Sequence, residues 1–287
     1  MFLETLVGGV ALGFLYGLVA ITLILLVRTT GVLNFAAADV GMLCAFVAFA
    51  ALVQWKWSVL PALAVAGVFS IALGAVIYVT IILVRGADPL MLSLRTLGLL
   101  IIVRAVADKI WGGNAPYTFP RILPAGVIDV FGLNVSYVQV AVVILAIIAA
   151  ALLAIITGWT RIGLMLRAVS SDREAAADLG VPVIRVDLVA WCLATFVAGL
   201  VGTLVAQLNV LSPDMMAPIL LAGFAAAQLG DMHSMRAALI AGLALGIVQS
   251  ASSVYLNQPE WSQILAFSVL TLGLLVRSYL RRSAVVT

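Results

Sequence analysis

The stretch TRIGLMLRAVSSDREAAADLGVPVIRVDLVAWCLATFVAGLVGTL, residues 160–204, joins a charged segment to a long apolar one. Of the chain's 15 basic and 12 acidic residues, eight lie between Gly158 and Asp187, although only 9% of all residues are charged and 65% are hydrophobic. The charged part must contact water, whereas the apolar part is long enough for a helix that crosses a bilayer. The stretch therefore predicts a membrane protein with a hydrophilic loop at 158–187.

The rest of the chain extends this interpretation. A mean hydropathy of +1.26 over 287 residues excludes a soluble domain. The apolar runs are long and continuous, which excludes a barrel of short alternating strands. We predict an all-α polytopic membrane protein, a single transmembrane domain over 1–287 with about eight or nine transmembrane or re-entrant helices. The expected spans are 5–27, 33–54, 58–84, 90–111, 135–157 and 188–210, then a broken region at 216–256 and a last span at 261–280.

The basic residues predict the orientation, because cytoplasmic loops of membrane proteins are enriched in Lys and Arg. With the N-terminus outside, nearly all arginines fall on the cytoplasmic side, and Lys56 and Arg121 are the clear exceptions. The loop at 158–187 and the C-terminus are then cytoplasmic, and the loop at 112–134 is an outer loop.

Two segments do not read as plain spanning helices. TTGVLNFAAAD, residues 29–39, carries Asn34 and Asp39 into an apolar run, and SPDMMAP, residues 212–218, interrupts another with Pro213 and Pro218. Such breaks are tolerated at membrane depth where protein or a water-filled path receives the freed backbone groups. We therefore predict a solute path beside them. Asp39 then either lines this path or only caps a half-helix or pairs with a basic residue.

The two broken regions also resemble each other. GLVAITL from Gly17 compares with GLVGTL from Gly199, and LCAFVA from Leu43 compares with LAGFAA from Leu221. The leading helices of the two pairs run in opposite directions in the predicted topology. The halves would then form an inverted repeat, as in many transporters.

The charged loop contains the signals of a short helix. Ser171 and Glu174 are spaced as a capping box, alanines follow, and Gly180 suits a left-handed residue after the helix end. Pro182 prevents continuation. We predict a short helix of small residues that can dock in a groove of another protein.

These residues carry a family resemblance. Glu174-Ala175-Ala176, three residues and Gly180 resemble the coupling loop of ABC importer permeases. The wider stretch 160–204, with GFLYGLVAITLILLVRTTGVLNFAAADVGML near the N-terminus, is similar to the branched-chain amino acid ABC permease family. The likeness points to the H-type subunit, the first of the two permeases that such systems pair.

The resemblance implies function, partners and location. The chain would be a permease subunit in a bacterial inner membrane that passes a small polar solute inward, by default a branched-chain or other amino acid. Its partners would be two ABC ATPase subunits that bind ATP, a second homologous permease of the M-type, an external solute-binding protein and the lipid bilayer. The implied ATPase-coupling residues are Arg167, Ser171, Asp172, Glu174, Ala175, Ala176 and Gly180. The predicted pathway residues are Asn34, Phe35, Asp39, Gln207 and Asn209, the last two facing either the path or the outer surface.

The sequence departs from the family pattern at two positions, and two other functions explain part of it. Ala37 and Ala38 stand where the family usually has His and Gly, while Asn34, Phe35 and Asp39 match. A branched-chain amino acid is therefore the default solute of the family and is not deduced from these residues. A secondary transporter or a facilitative channel for urea or an amide would also explain the broken helices, but not the capped loop. A structural membrane subunit would explain the low charge, but not Asn34 and Asp39.

Catalytic and nucleotide-binding patterns are not found in the sequence. There is no nucleotide-binding loop motif, metal-ligand cluster or nucleophile and base pair. We expect no enzyme activity, no cofactor in this chain and no nucleic-acid partner. Arg104 and Asp108 are four residues apart, and we predict an ion pair between them along one helix face.

Overall fold

In a computed structural model, the described residues up to Tyr255 fold as a bundle of ten α-helices. The structure describes residues 2–83, 88–112, 116–120, 122, 126–129 and 134–255, with 264, 268 and 271. The helices are α1 (Phe2–Thr30), α2 (Ala37–Val53), α3 (Val59–Ile77), α4 (Pro89–Trp111), α5 (Tyr137–Trp159), α6 (Arg161–Ser171), α7 (Arg173–Asp178), α8 (Val183–Leu208), α9 (Ala217–Leu229) and α10 (Met235–Tyr255). A π-helical turn, Tyr78–Ile82, extends α3.

Within the described residues, six helices are long and apolar enough to cross a membrane, and they are α1, α3, α4, α5, α8 and α10. The two shorter apolar helices are α2 and α9, which follow the two breaks predicted from the sequence. The predicted last span at 261–280 lies almost entirely outside the described residues, as does much of the loop at 112–134. In that loop, strands β1 (Val127–Asp129) and β2 (Asn134–Ser136) form a small antiparallel hairpin that pairs Ile128 with Val135.

Glycines allow the backbones of α1 and α10 to come into direct contact. An added Cβ at Gly13 would lie 2.6 Å from Leu243 Cα, and one at Gly9 would lie 2.8 Å from Ile247 Cα. Across the interface, Gly242 and Gly246 face Gly17 and Gly13. Glycines spaced by four residues allow such close approach because they form one small-residue face of a helix. The backbones of α1 and α10 therefore touch along this face.

Each break separates two helices, α1 from α2 and α8 from α9, and these two broken pairs pack against each other. In α2, an added Cβ at Gly41 would lie 2.5 Å from Ala198 O in α8, and in α9 one at Gly223 would lie 2.5 Å from Val19 Cγ1 in α1. The helix after each break therefore packs against the helix before the other break. Each of α2 and α9 begins after an irregular segment, residues 31–36 and 209–216.

The first irregular segment lies along α4. The Leu33 N–H donates to Ser93 Oγ at 2.9 Å, and the Phe35 N–H donates to Thr96 Oγ1 at 3.1 Å. Thr96 is seven residues into α4, which corresponds to about 10 Å from its first residue. Side chains of α4 thus satisfy backbone groups that the break leaves free, and α2 begins well inside the bundle rather than at its end.

Candidate functional site

A cluster of charged residues joins the two broken regions. Arg104 of α4 places Nε 3.2 Å from Asp39 Oδ1 in α2 and Nη1 3.2 Å from Asp214 Oδ1, just before α9. The Asp39 side chain is 2% exposed, whereas that of Asp214 is 79% exposed. One guanidinium therefore connects a buried carboxylate to one at the surface of the subunit.

Two buried polar atoms in this region have no partner among the described residues. Asn34 Oδ1 accepts from the Ala36 N–H at 3.1 Å, but its Nδ2 donates to nothing. Asp39 Oδ2 also lacks a hydrogen bond. Since unpaired buried polar atoms are costly, such atoms in a native structure call for an explanation. Among the described residues, Asn34 therefore keeps a free buried donor and Asp39 a free buried acceptor.

The ion pair predicted between Arg104 and Asp108 is wrong, because Arg104 pairs with Asp39 and Asp214 instead. Neither partner is near Arg104 in sequence, so helix spacing does not predict the contacts. The available signal is the charge itself, since a basic residue in the apolar α4 needs an acidic partner from another helix.

The structure brings together only part of the predicted pathway set. Phe35 packs its ring 5.2 Å from that of Phe224 in α9, beside Asn34 and Asp39 at the entrance to α2. Gln207 instead donates from Nε2 to Pro120 O at 3.2 Å, against the loop at 112–134. Asn209 follows the end of α8 and is exposed.

The charged loop forms a second site made of α6 and α7. Asp172, not Ser171, is the N-cap of α7, because α6 continues through Ser171. The Asp172 carboxylate accepts from the N–H groups of Glu174 and Ala175, both at 3.0 Å. The predicted capping box at Ser171 is therefore wrong by one residue, since the extended backbone that a cap requires occurs at Asp172.

The predicted end of this helix is confirmed. Gly180 has φ +82°, and its N–H donates to Ala177 O at 2.9 Å, while the Val181 N–H donates to Ala176 O at 3.0 Å. These two bonds form a Schellman motif, which satisfies the last carbonyls of the helix. No described atom lies within 4 Å of an added Cβ at Gly180, so the glycine is required for its backbone conformation alone.

Arg173 fixes α7 to the rest of the bundle, a role that the sequence analysis missed. Its guanidinium forms a bidentate ion pair with Asp187 of α8, and Nη1 also donates to Thr29 O at 2.8 Å. Asp187 is 2% exposed. The end of α1 and the start of α8 therefore meet at one arginine, which indicates that these two helices run in opposite directions. An acidic residue near the start of an apolar helix was the available signal.

The side of α7 that faces away from α6 and α8 is exposed in the described part of the chain. Ala176 is buried against α6 and α8, whereas Glu174, Ala175 and Asp178 are exposed. Leu179, directly after the helix, is 85% exposed. Arg167 lies on α6 and is exposed, and its Nη1 donates to Gly158 O near the end of α5 at 2.8 Å.

Comparison with known proteins agrees with these features. Residues 5–274 match the family model described as branched-chain amino acid transport system, permease component. The permease LivH of Escherichia coli K12 is 28% identical, over 96% of this chain and 93% of its own length, and so is LivH of Salmonella typhimurium. BraD of Pseudomonas aeruginosa is 24% identical over 96% of this chain and 94% of its own.

Among solved structures, PsaBC from Streptococcus pneumoniae in complex with Fab covers 95% of this chain and 91% of its own, with 18% identity and a TM-score of 0.45.

The matches confirm the resemblance predicted from the sequence, including its H-type character. The relatives are transport permeases and not enzymes, as expected. A multi-pass protein of the inner membrane is confirmed as well, and the six long apolar helices fit it. The chain belongs to the permease family of branched-chain amino acid transport systems.

Proposed function

We propose that this chain is a permease subunit of an ABC importer that passes a small polar solute into the cell, by default a branched-chain amino acid. The N-terminus is outside, the C-terminus and the α6–α7 segment are cytoplasmic, and the two broken pairs form an inverted repeat. The reciprocal packing of α2 on α8 and of α9 on α1 supports this repeat.

The observation that carries the proposal is the junction of the two breaks at Arg104. This residue contacts Asp39 after one break and Asp214 within the other, so a relative movement of the two halves changes its ion pair with Asp214, which joins them. Alternating access requires such a movement around a site near the centre of the membrane. Asn34 Nδ2 and Asp39 Oδ2 are buried here without a partner among the described residues, and such a movement would expose them to a solute with a carboxylate and an ammonium group.

The position of the second permease follows from the exposed side of this junction. Asp214 is exposed, and Leu97 and Ile101 of α4 with Leu221 of α9 are exposed apolar side chains. An M-type permease seated there would shield these groups from lipid and enclose the path between two subunits. The external binding protein would deliver the solute from the outer side.

The α6–α7 segment is the proposed contact with the ATPases. Closure of two ATPase subunits around ATP would push on the exposed surface of α7. Because Arg173 holds α7 to both α1 and α8, that push would reach the leading helix of each half. Glu174, Ala175 and Leu179 would make the contact, with Gly180 and Asp172 maintaining the helix ends.

The first experiment is to tag the chain at a terminus, extract it in mild detergent and identify the proteins that co-purify by mass spectrometry. We expect ATPase subunits and a second permease. The variant Gly180→Val should lose the ATPases but retain the permease, while Gly180→Asn should retain both, because Asn adopts the left-handed conformation far more readily than Val.

Purification of the chain alone or only with itself would contradict an ABC importer and favour a facilitative channel or a secondary transporter. Equal ATPase recovery with Gly180→Val and the unmodified chain would instead remove α7 from the contact and leave the permease assignment in place.

A further inference from the structure

A cavity of about 240 Å³ lies where α1, α5, α6 and α10 meet, at the same end of the bundle as α7. Its polar lining includes Arg28, Arg167, Arg236, Thr157, Gly158 and Ser170. No acidic side chain is among its described lining residues. Three arginines thus line one partly open cavity, which makes it positive.

The arginines retain most of their hydrogen-bonding capacity. Arg28 donates to His233 O at 3.3 Å and to Ser170 Oγ at 3.5 Å, and Arg167 donates to Gly158 O. Arg236 has no side-chain partner among the described residues. Each guanidinium carries five N–H donors, so several point at no acceptor in the described part of the chain. All partners present are neutral, and the three positive charges call for an anion.

The cavity lies at the level expected for lipid headgroups. Gly158, in its lining, is followed by Trp159, which is 91% exposed at the end of α5, and tryptophan is enriched where a membrane meets water. Ile240 is exposed four residues after Arg236 on the same face of α10, and Ile155 is exposed on α5. An apolar surface thus continues from the cavity along the helices, as an acyl chain requires.

We propose that this cavity binds the phosphate group of an anionic phospholipid. Guanidinium groups bind phosphate oxygens in bidentate geometry, and basic pockets between transmembrane helices are typical sites for anionic headgroups. A water occupies about 30 Å³, so the cavity can hold a phosphate group with part of its hydration. A bound phosphate would join Arg28 of α1, Arg167 of α6 and Arg236 of α10, and would brace the base of the α6–α7 segment.

The test measures the melting temperature of the purified full chain by tryptophan fluorescence. The protein is titrated with phosphatidylglycerol in one series and with phosphatidylcholine in another. Phosphatidylglycerol should raise the melting temperature by several degrees, and phosphatidylcholine should not. Arg236→Gln should weaken the apparent affinity for phosphatidylglycerol about tenfold, since one charge-assisted contact is lost. Arg161→Gln, an exposed change at the start of α6 outside the cavity lining, is the matched control and should leave the titration unchanged.

Two further results separate the sources of phosphate. If inorganic phosphate stabilises the chain as strongly as phosphatidylglycerol, the site takes free phosphate and the lipid assignment is overturned. If Arg28→Gln, Arg167→Gln and Arg236→Gln together leave the phosphatidylglycerol shift unchanged, this cavity is not the site. Should the triple variant not fold, native mass spectrometry of Arg236→Gln decides: phosphatidylglycerol retained at the unmodified level overturns the proposal, and its loss supports it.

Discussion

At the scale of single residues, Asp39 and Asp214 share one arginine but differ in burial. Removing the buried Asp39 charge leaves Arg104 with only a solvent-exposed partner, whereas the exposed pair with Asp214 contributes little by itself. We expect Asp39→Asn to lower uptake about tenfold or more, and Asp214→Asn to lower it less than about threefold. The measurement is uptake of labelled leucine by vesicles that contain the complete transporter. Equal losses in the two variants would show that burial does not set the importance of these carboxylates.

Residues whose roles depend on near neighbours were largely predictable from the sequence. The positive φ of Gly180 was expected, because it follows from the end of the helix directly before this residue. Ser171 and Asp172 are adjacent and both suit an N-cap, so the sequence could not decide which one ends α6. The partners of Arg104 are far away along the chain, and no local pattern encodes such a pair.

At the scale of helices, the ion pair between Arg173 and Asp187 determines whether α7 is held in place. Arg173→Gln should lower stability by about 2 kcal/mol, because it leaves a buried carboxylate without its partner and the guanidinium is only half-buried. The double variant Arg173→Gln/Asp187→Asn should recover at least half of that loss. ATPase recovery should stay low in both, since neither holds α7 to Thr29. Thermal melting and co-purification measure the two effects.

The lysine variant provides the matched control for geometry. Arg173→Lys keeps the charge but cannot form the bidentate contact and reach Thr29 O together. Compared with Arg173→Gln, the lysine variant should regain more of the lost stability than of the lost ATPase binding. Full ATPase recovery with lysine would mean that charge alone positions α7.

The breaks before α2 and α9 could be predicted because prolines and polar residues interrupt apolar runs. Their partners could not, since Leu33 and Phe35 donate to Ser93 and Thr96 some 60 residues away. A sequence reveals where backbone groups become free, but tertiary packing decides what satisfies them.

At the scale of the whole molecule, the glycine contacts between α1 and α10 bring the two ends of the described bundle together. A Cβ at Gly13 meets backbone atoms at 2.6 and 3.0 Å, so Gly13→Ala must separate the helices. An added Cβ at Gly98 meets no described atom within 4 Å, so Gly98→Ala should be neutral or stabilise α4 by up to about 1 kcal/mol. Melting temperatures in one detergent compare the two, and equal values would contradict tight glycine packing.

The orientation of the bundle in the membrane is predicted from both the basic residues and the inverted repeat. If α1 and α8 run oppositely, the turn after α2 and the turn after α9 lie on opposite sides of the membrane. Lys56 and Ser234 are exposed in these turns, whereas Cys44 is buried and Cys192 can be replaced by alanine first. A membrane-impermeant thiol reagent on intact cells should label Lys56→Cys and leave Ser234→Cys unlabelled until the cells are opened. Labelling of both from outside would contradict the inverted repeat, while the reverse pattern would preserve the repeat and invert the orientation, which would place α7 where no ATPase could reach it.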